Sequence, residues 1–286
     1  MNLRRRSQHI SEAELTAMTV ELDQMHRDQT LPAMQAAVAE WADSIRADGS
    51  DSPRKASRRT FLLGAAGVGA GGLLLAACSS SSKVTAPTTI APSGSSSTAG
   101  SSSGALTGDL AVAAMAASLE NLGVFAYNAG LQAAQAGKLG TVPPAVATFA
   151  QTAMAQHKDH AQAWNSVLTA AGKPAVTATD PALTPTVQQK FSQVKDVAGL
   201  AELALLIENI AAQTYQNGIG VLSSSKAVAV AATIQPVEMQ HAAILYYALG
   251  RYPGIQGDAS TSYSMGQPLA FNPTTLARPA ADYQGS

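Results

Sequence analysis

The sequence predicts an all-α fold: a four-helix bundle with a disordered N-terminal region and linker. Three observations point there. Residues 105–250 carry four long stretches with apolar residues at helical spacing, and no alternating Val/Ile/Thr pattern competes with them. Proline opens and glycine or proline closes these stretches, which is the asymmetry expected of helix ends. Two connections are short and one is a longer crossover, a wiring suited to two helical hairpins packed as a bundle. Composition narrows the function classes. A net charge of −1 over 286 residues gives no electrostatic footprint for nucleic acid. A single cysteine excludes an internal disulfide framework and any cysteine-rich zinc or iron–sulfur site.

The first helix is expected over about 107–136, with Asp109 as its cap and Gly137-Lys138 at its end. The second, about 144–171, follows Pro143-Pro144 and stops at Gly172-Lys173-Pro174. A Pro/Thr-rich crossover over 174–186 leads to a short helix near 186–195. The third long helix is expected over about 197–222 and the fourth over about 226–249, closed by Gly250 and Pro253. The tail 251–286, rich in Gly, Pro, Ser and Tyr, is expected to wrap the bundle without regular structure.

The N-terminal part reads differently. Ser11-x-x-Glu14 forms a capping box ahead of Leu15, Met18, Leu22 and Met25 at helical spacing. Residues 1–56 are therefore read either as a cytoplasmic or extended region removed on processing, or as an over-long start with the true one at Met25 or Met34. His9 and His26 lie here without a ligand partner at metal spacing, and no role is assigned to them. Arg58-Arg59, followed by Thr60, Phe61 and Leu62, resembles the twin-arginine export signal. The apolar run 61–77 holds five glycines, which suits a translocated signal better than a membrane anchor. Leu75-Ala76-Ala77-Cys78 resembles a lipobox, whose cysteine would be lipidated and become the new N-terminus. Residues 79–104, nearly all Ser, Thr, Ala, Gly and Pro, cannot bury a core and are expected to be a disordered tether. The implied product is exported by the twin-arginine machinery and lipid-anchored to the outer face of the cell membrane.

The chemistry sits in the bundle. Helix one carries Glu120-Asn121 with Tyr127, and helix three carries Glu208-Asn209 with Tyr215. In both, Tyr follows Glu by seven residues, close to two turns, so the two share a face. Helix two carries His157 and His160, and helix four Glu238 and His241, each pair at i, i+3 and so pointing one way. From Cys78 onward the chain holds four Glu and three His, and only Glu202 lies outside this set. One Glu from each of two helices, with a ligand pair from each of the others, is an arrangement that holds two metals in a bundle core. Carboxylates bridge hard cations, and imidazole adds a donor favoured by iron, manganese or zinc. Tyr127 and Tyr215 are read as packing beside the set, able to donate to its carboxylates. Asp159 lies off this face.

These motifs, Glu120…His157-x-x-His160 and Glu208…Glu238-x-x-His241, resemble the ferritin-like superfamily, nearest its exported, desiccation-related type. The resemblance implies a ferritin-like bundle over 105–250. It implies Glu120, Glu208, Glu238, His160 and His241 as ligands of a di-iron or mixed iron–manganese centre, with Fe(II) oxidation or oxidant scavenging as the activity. His157 departs from the family's Glu at that place. A neutral imidazole cannot bridge as a carboxylate does, so the second metal should be held more weakly, and a single-metal or zinc site becomes plausible. The competing expectation is a metal-free structural or stress-protective lipoprotein with a relic site.

Overall fold

The computed structural model describes residues 10–48 and 106–251, and among them all regular structure is helical. The bundle consists of α3 (Gly108–Gln135), α4 (Pro144–Ala170), α6 (Val197–Val221) and α7 (Ser225–Ala248), with the short α5 (Thr184–Ser192) in the crossover. Each helix lies close to its expected bounds. Gly172 and Gly250 adopt φ of 68° and 70°, the left-handed turn that glycine makes at little cost where a helix stops. Asp196 caps α6 by accepting from the Gly199 amide at 2.8 Å.

Asp109 does not cap its own helix. The N-cap of α3 is Thr107, without a side-chain bond. Asp109 accepts instead from the Ser223 and Ser224 amides, both at 2.8 Å, and so ties the start of α3 to the start of α7. The asparagines divide likewise. Asn121 donates to the Val176 and Ala178 carbonyls and pins the crossover, whereas Asn209 donates to Leu205 of its own helix and to the Tyr246 hydroxyl on α7.

α3 pairs with α4 and α6 with α7 as antiparallel hairpins. Alanines such as Ala113, Ala117, Ala153, Ala212 and Ala242 are fully buried at the contacts, and small side chains there let the axes approach. Along α4, an apolar stretch with Phe149 and Ala153 precedes the His157/His160 pair, and a second with Trp164, Val167 and Leu168 follows it. Along α7, Val230 and Ile234 precede Glu238, and Ile244 and Leu245 follow His241. The polar residues thus occupy one level between two apolar layers.

Within the N-terminal region, residues 12–48 are helical and pack on the bundle. Helix α1 (Glu12–Met25) begins with the expected capping box and runs through a π turn (His26–Thr30) into α2 (Leu31–Asp48). This rod packs on both α4 and α7 and lies in the groove between them. The π turn has a local cause. Pro32 has no N–H to return to Asp28 and its ring crowds that carbonyl, so the turn widens and the Leu31 amide bonds back to His26. The buried stripe is Leu15, Thr19, Leu22 and His26, not the Met18/Met25 face, which is only partly covered. After the π turn the stripe resumes at Met34, Ala37 and Trp41, one residue out of phase, as the inserted residue requires. Arg58, Arg59, Cys78, the tether 79–104 and the tail beyond Arg251 lie outside the described residues.

Candidate metal centre

The structure brings all six candidate ligands together. Glu120, His157, His160, Glu208, Glu238 and His241 are each at most 1% exposed. They form two overlapping sets, Glu120/His157/His160/Glu238 and His157/Glu208/Glu238/His241, whose ligand atoms lie within 4.8 Å of one another. Glu238 and His157 belong to both. His157 is central: Nδ1 lies 2.7 Å from Glu120 Oε2, and Nε2 lies 3.2 Å from Glu208 Oε1. His241 Nδ1 lies 3.3 Å from Glu208 Oε2.

Glu238 shows best that the residues fit a metal. Its Oε1 comes within 2.8 Å of His160 Nδ1, yet neither Glu238 oxygen makes an aligned hydrogen bond. His160 also leaves both ring nitrogens without such a bond. A fully buried carboxylate without hydrogen bonds is costly unless a cation meets it. Pro236, two residues before Glu238, offers no N–H to its own helix, and α7 nonetheless continues through it.

Both tyrosines reach the centre, and they do so crosswise. Tyr127 on α3 donates to Glu208 on α6, and Tyr215 on α6 donates to Glu120 on α3. Trp164 Nε1 in turn donates to the Tyr215 hydroxyl at 2.7 Å. Each tyrosine therefore serves the other helix's Glu, a cross-pairing invisible within either repeat.

Residues 108–251 match the ferritin-like domain family. The chain belongs to that family. It matches no curated protein and no solved structure.

Within this ferritin-like domain the charges balance internally. Burial alone would raise the Glu120 carboxyl, but His160 and His157 outweigh it and hold it down at about 2. Burial opposes the charge on His160, and Glu120 and Glu238 overcome it, raising the ring to about 9. His157 and His241 are raised against burial by Glu238 and Glu208, and by Glu208, respectively. Burial also works against the Glu208 carboxylate, which His241 and His157 keep well below its ordinary range. Burial and then the neighbouring carboxylates push both tyrosines up, so they remain hydrogen-bond donors.

Four residues to which the sequence reading assigned no role lie at the centre, three of them in this ferritin-like domain and His26 outside it. Gln156 Oε1 lies 2.8 Å from His241 Nε2, and Gln156 is one residue before His157 on α4. Gly123 gives His157 its space, because a Cβ there would lie 2.9 Å from the imidazole ring. His26, on the N-terminal rod, is 2% exposed, with its ring centroid 5.5 Å from that of His160. Asp159 does lie off the ligand face, as expected, but its Oδ2 sits 3.2 Å from His26 Nε2. One signal was legible: His26 continues the Leu15, Thr19, Leu22 spacing.

Proposed function

We propose that the ferritin-like domain holds a dinuclear centre of iron, or iron with manganese, with zinc as the other candidate. The observation that carries this is the burial of six ligand-type side chains in two overlapping sets, with a Glu238 carboxylate that has no hydrogen bond of its own. Glu120, His160 and Glu238 would hold one ion, and Glu208, His241 and Glu238 the other. Bound iron would supply redox chemistry toward oxygen or peroxide, to oxidise Fe(II) or scavenge oxidants. The protein's own part is to fix the ligands, through the two tyrosines and Gln156, and to keep water out. His157 as a neutral ligand serves one set at a time, and three carboxylates against two divalent ions leave a net charge of +1. The second ion is accordingly the weaker one.

The proposal includes export and lipid anchoring at Cys78, supported by the Arg58-Arg59 motif, the apolar run and the single cysteine in a lipobox-like sequence. Changing Cys78→Ser is expected to leave the chain unprocessed or free of the membrane; unaltered anchoring would refute that part.

Mutual pairing of three carboxylates and three imidazoles favours one other reading, a metal-free structural bundle. Metal content of the full chain, purified without chelator and read by plasma mass spectrometry, separates the two. Near two equivalents of iron or manganese supports the dinuclear centre, and about one supports a centre limited by His157. None, even after reconstitution, leaves the structural bundle.

A further inference from the structure

The N-terminal rod touches the centre at two matched points. Asp159 and Gln240 are the residues immediately before His160 and His241. The Asp159 carboxylate meets His26 Nε2 at 3.2 Å, and the Gln240 amide donates to Met25 Sδ at 3.5 Å. The rod thus engages both helices that carry a ligand pair, beside the last ligand of each. Further along, Trp41 packs edge-on against Trp164, with centroids 6.2 Å apart, and these are the chain's two tryptophans. Leu15, Leu22, Met34 and Trp41 are buried in this contact, and Phe149 and Trp164 on α4 lie in the same two apolar clusters. A histidine 2% exposed on this largely apolar stripe, with Nδ1 lacking any hydrogen bond, calls for a role.

We propose that residues 10–48 are the closing wall of the metal centre, and that His26, braced by Asp159, is a positioning residue that holds the His160 ring in place. The proposal rests on the metal-centre reading but not on export. It bears on export all the same. Cleavage before Cys78 would cut the covalent link between this wall and the bundle, so maturation would open the centre unless the wall stays bound.

The physical basis is packing. His160 has no aligned hydrogen bond on either ring nitrogen, although Nδ1 lies 2.8 Å from Glu238 Oε1, so the rings it packs against help to set its orientation. His157 touches it on one side at 6.2 Å between ring centroids, and His26 does so at 5.5 Å. Removing His26 frees a ligand ring to turn, and removing the rod admits water to the groove between α4 and α7.

The test uses the full chain loaded with cobalt(II), whose ligand-field absorption reports on the ligand set. In one arm His26→Ala is compared with wild type and with His26→Gln. The expected result for His26→Ala is an altered cobalt spectrum and about tenfold faster release to EDTA, in the range seen for residues that support a ligand. His26→Gln should recover part of both. Tryptophan emission should stay blue-shifted in all three, showing that the rod is still docked. An unchanged spectrum and release rate in His26→Ala would overturn the positioning role. In the other arm a specific protease site is inserted within 79–104 and cut. The freed N-terminal piece should remain with the bundle on gel filtration, and stripping it should red-shift the tryptophan emission and speed cobalt release. A piece that leaves with no change in emission or release would overturn the wall. A wild-type chain that takes up no cobalt would overturn the metal-centre reading and the wall's role at it, while the emission arm still decides docking.

Discussion

Tyr127 on α3 donates its hydroxyl to Glu208 on α6, across the bundle rather than along its own helix. Tyr215 repeats the relation toward Glu120. Each bond ties the two hairpins at the level of the centre and adds to the imidazole contacts that fix the carboxylate. Tyr127→Phe removes a bond to a buried charged acceptor and is expected to cost about 1.5–3 kcal/mol in chemical denaturation. Metal affinity should also fall by roughly 10–100-fold. A variant as stable as wild type would show that Glu208 does not depend on this bond.

Glu238 belongs to both sets and meets His160 Nδ1 at 2.8 Å without an aligned hydrogen bond. Glu238→Ala is expected to abolish most metal binding while leaving the fold intact in circular dichroism. Metal content equal to wild type would break the ligand assignment.

His157 is the departure, and changing it tests the metal and metal-free readings together. In His157→Glu, four carboxylates face two imidazoles. With metal, the second ion should bind more tightly and stoichiometry should move toward two. Without metal, the surplus buried charge should lower stability by several kcal/mol. Denaturation midpoints with and without metal measure both effects.

Gly123→Ala places a Cβ 2.9 Å from the His157 ring, and the buried ring must shift. Overpacking of this kind costs about 1–3 kcal/mol. The same change at Gly220, where a Cβ meets nothing within 4 Å, should be harmless and serves as the control in thermal melts.

The metal-free chain should be most stable between pH 4.5 and 6.5. His160 rises from its ordinary 6.5 to about 9, so its contribution is complete below 6.5 and lost as pH climbs through 9. Glu120 falls from 4.5 to about 2, so its contribution is complete above 4.5 and lost as pH drops through 2. His26, lowered by burial and then by His160, subtracts some stability below 6.5; one group against three raised histidines narrows the window without closing it. Metal requires neutral imidazoles, so its affinity should rise with pH through this upper range, with protons released on binding. Denaturation across pH, with and without metal, gives the two profiles.

The bundle was legible in the sequence because its helices declare themselves locally. Pro143-Pro144 starts α4, Gly172 ends it, and the spacing between carries its face. The ligand set was legible for a related reason: Glu and His are so scarce after Cys78 that six of seven fall at matched helical positions. The N-terminal rod was harder. Its capping box could be read directly, and Leu15 and Leu22 are buried as their spacing suggests, but Met18 and Met25 are only partly covered, and the π turn at 26–30 shifts the stripe by one residue. Once the phase changes, Met34, Ala37 and Trp41 no longer align with Leu15 and Leu22 in a simple helical count.

The sequence by itself determined which residues could be ligands, which helices bear them, and that each i, i+3 pair shares a face. These follow from the period of a single helix, a short-range property. Only the tertiary structure decided that Tyr127 serves Glu208, that Gly123 gives room to His157, and that His26 sits against His160. Those relations join residues 34 to 134 positions apart. They depend on which faces meet once every apolar stripe is buried together, a choice no single helix makes alone.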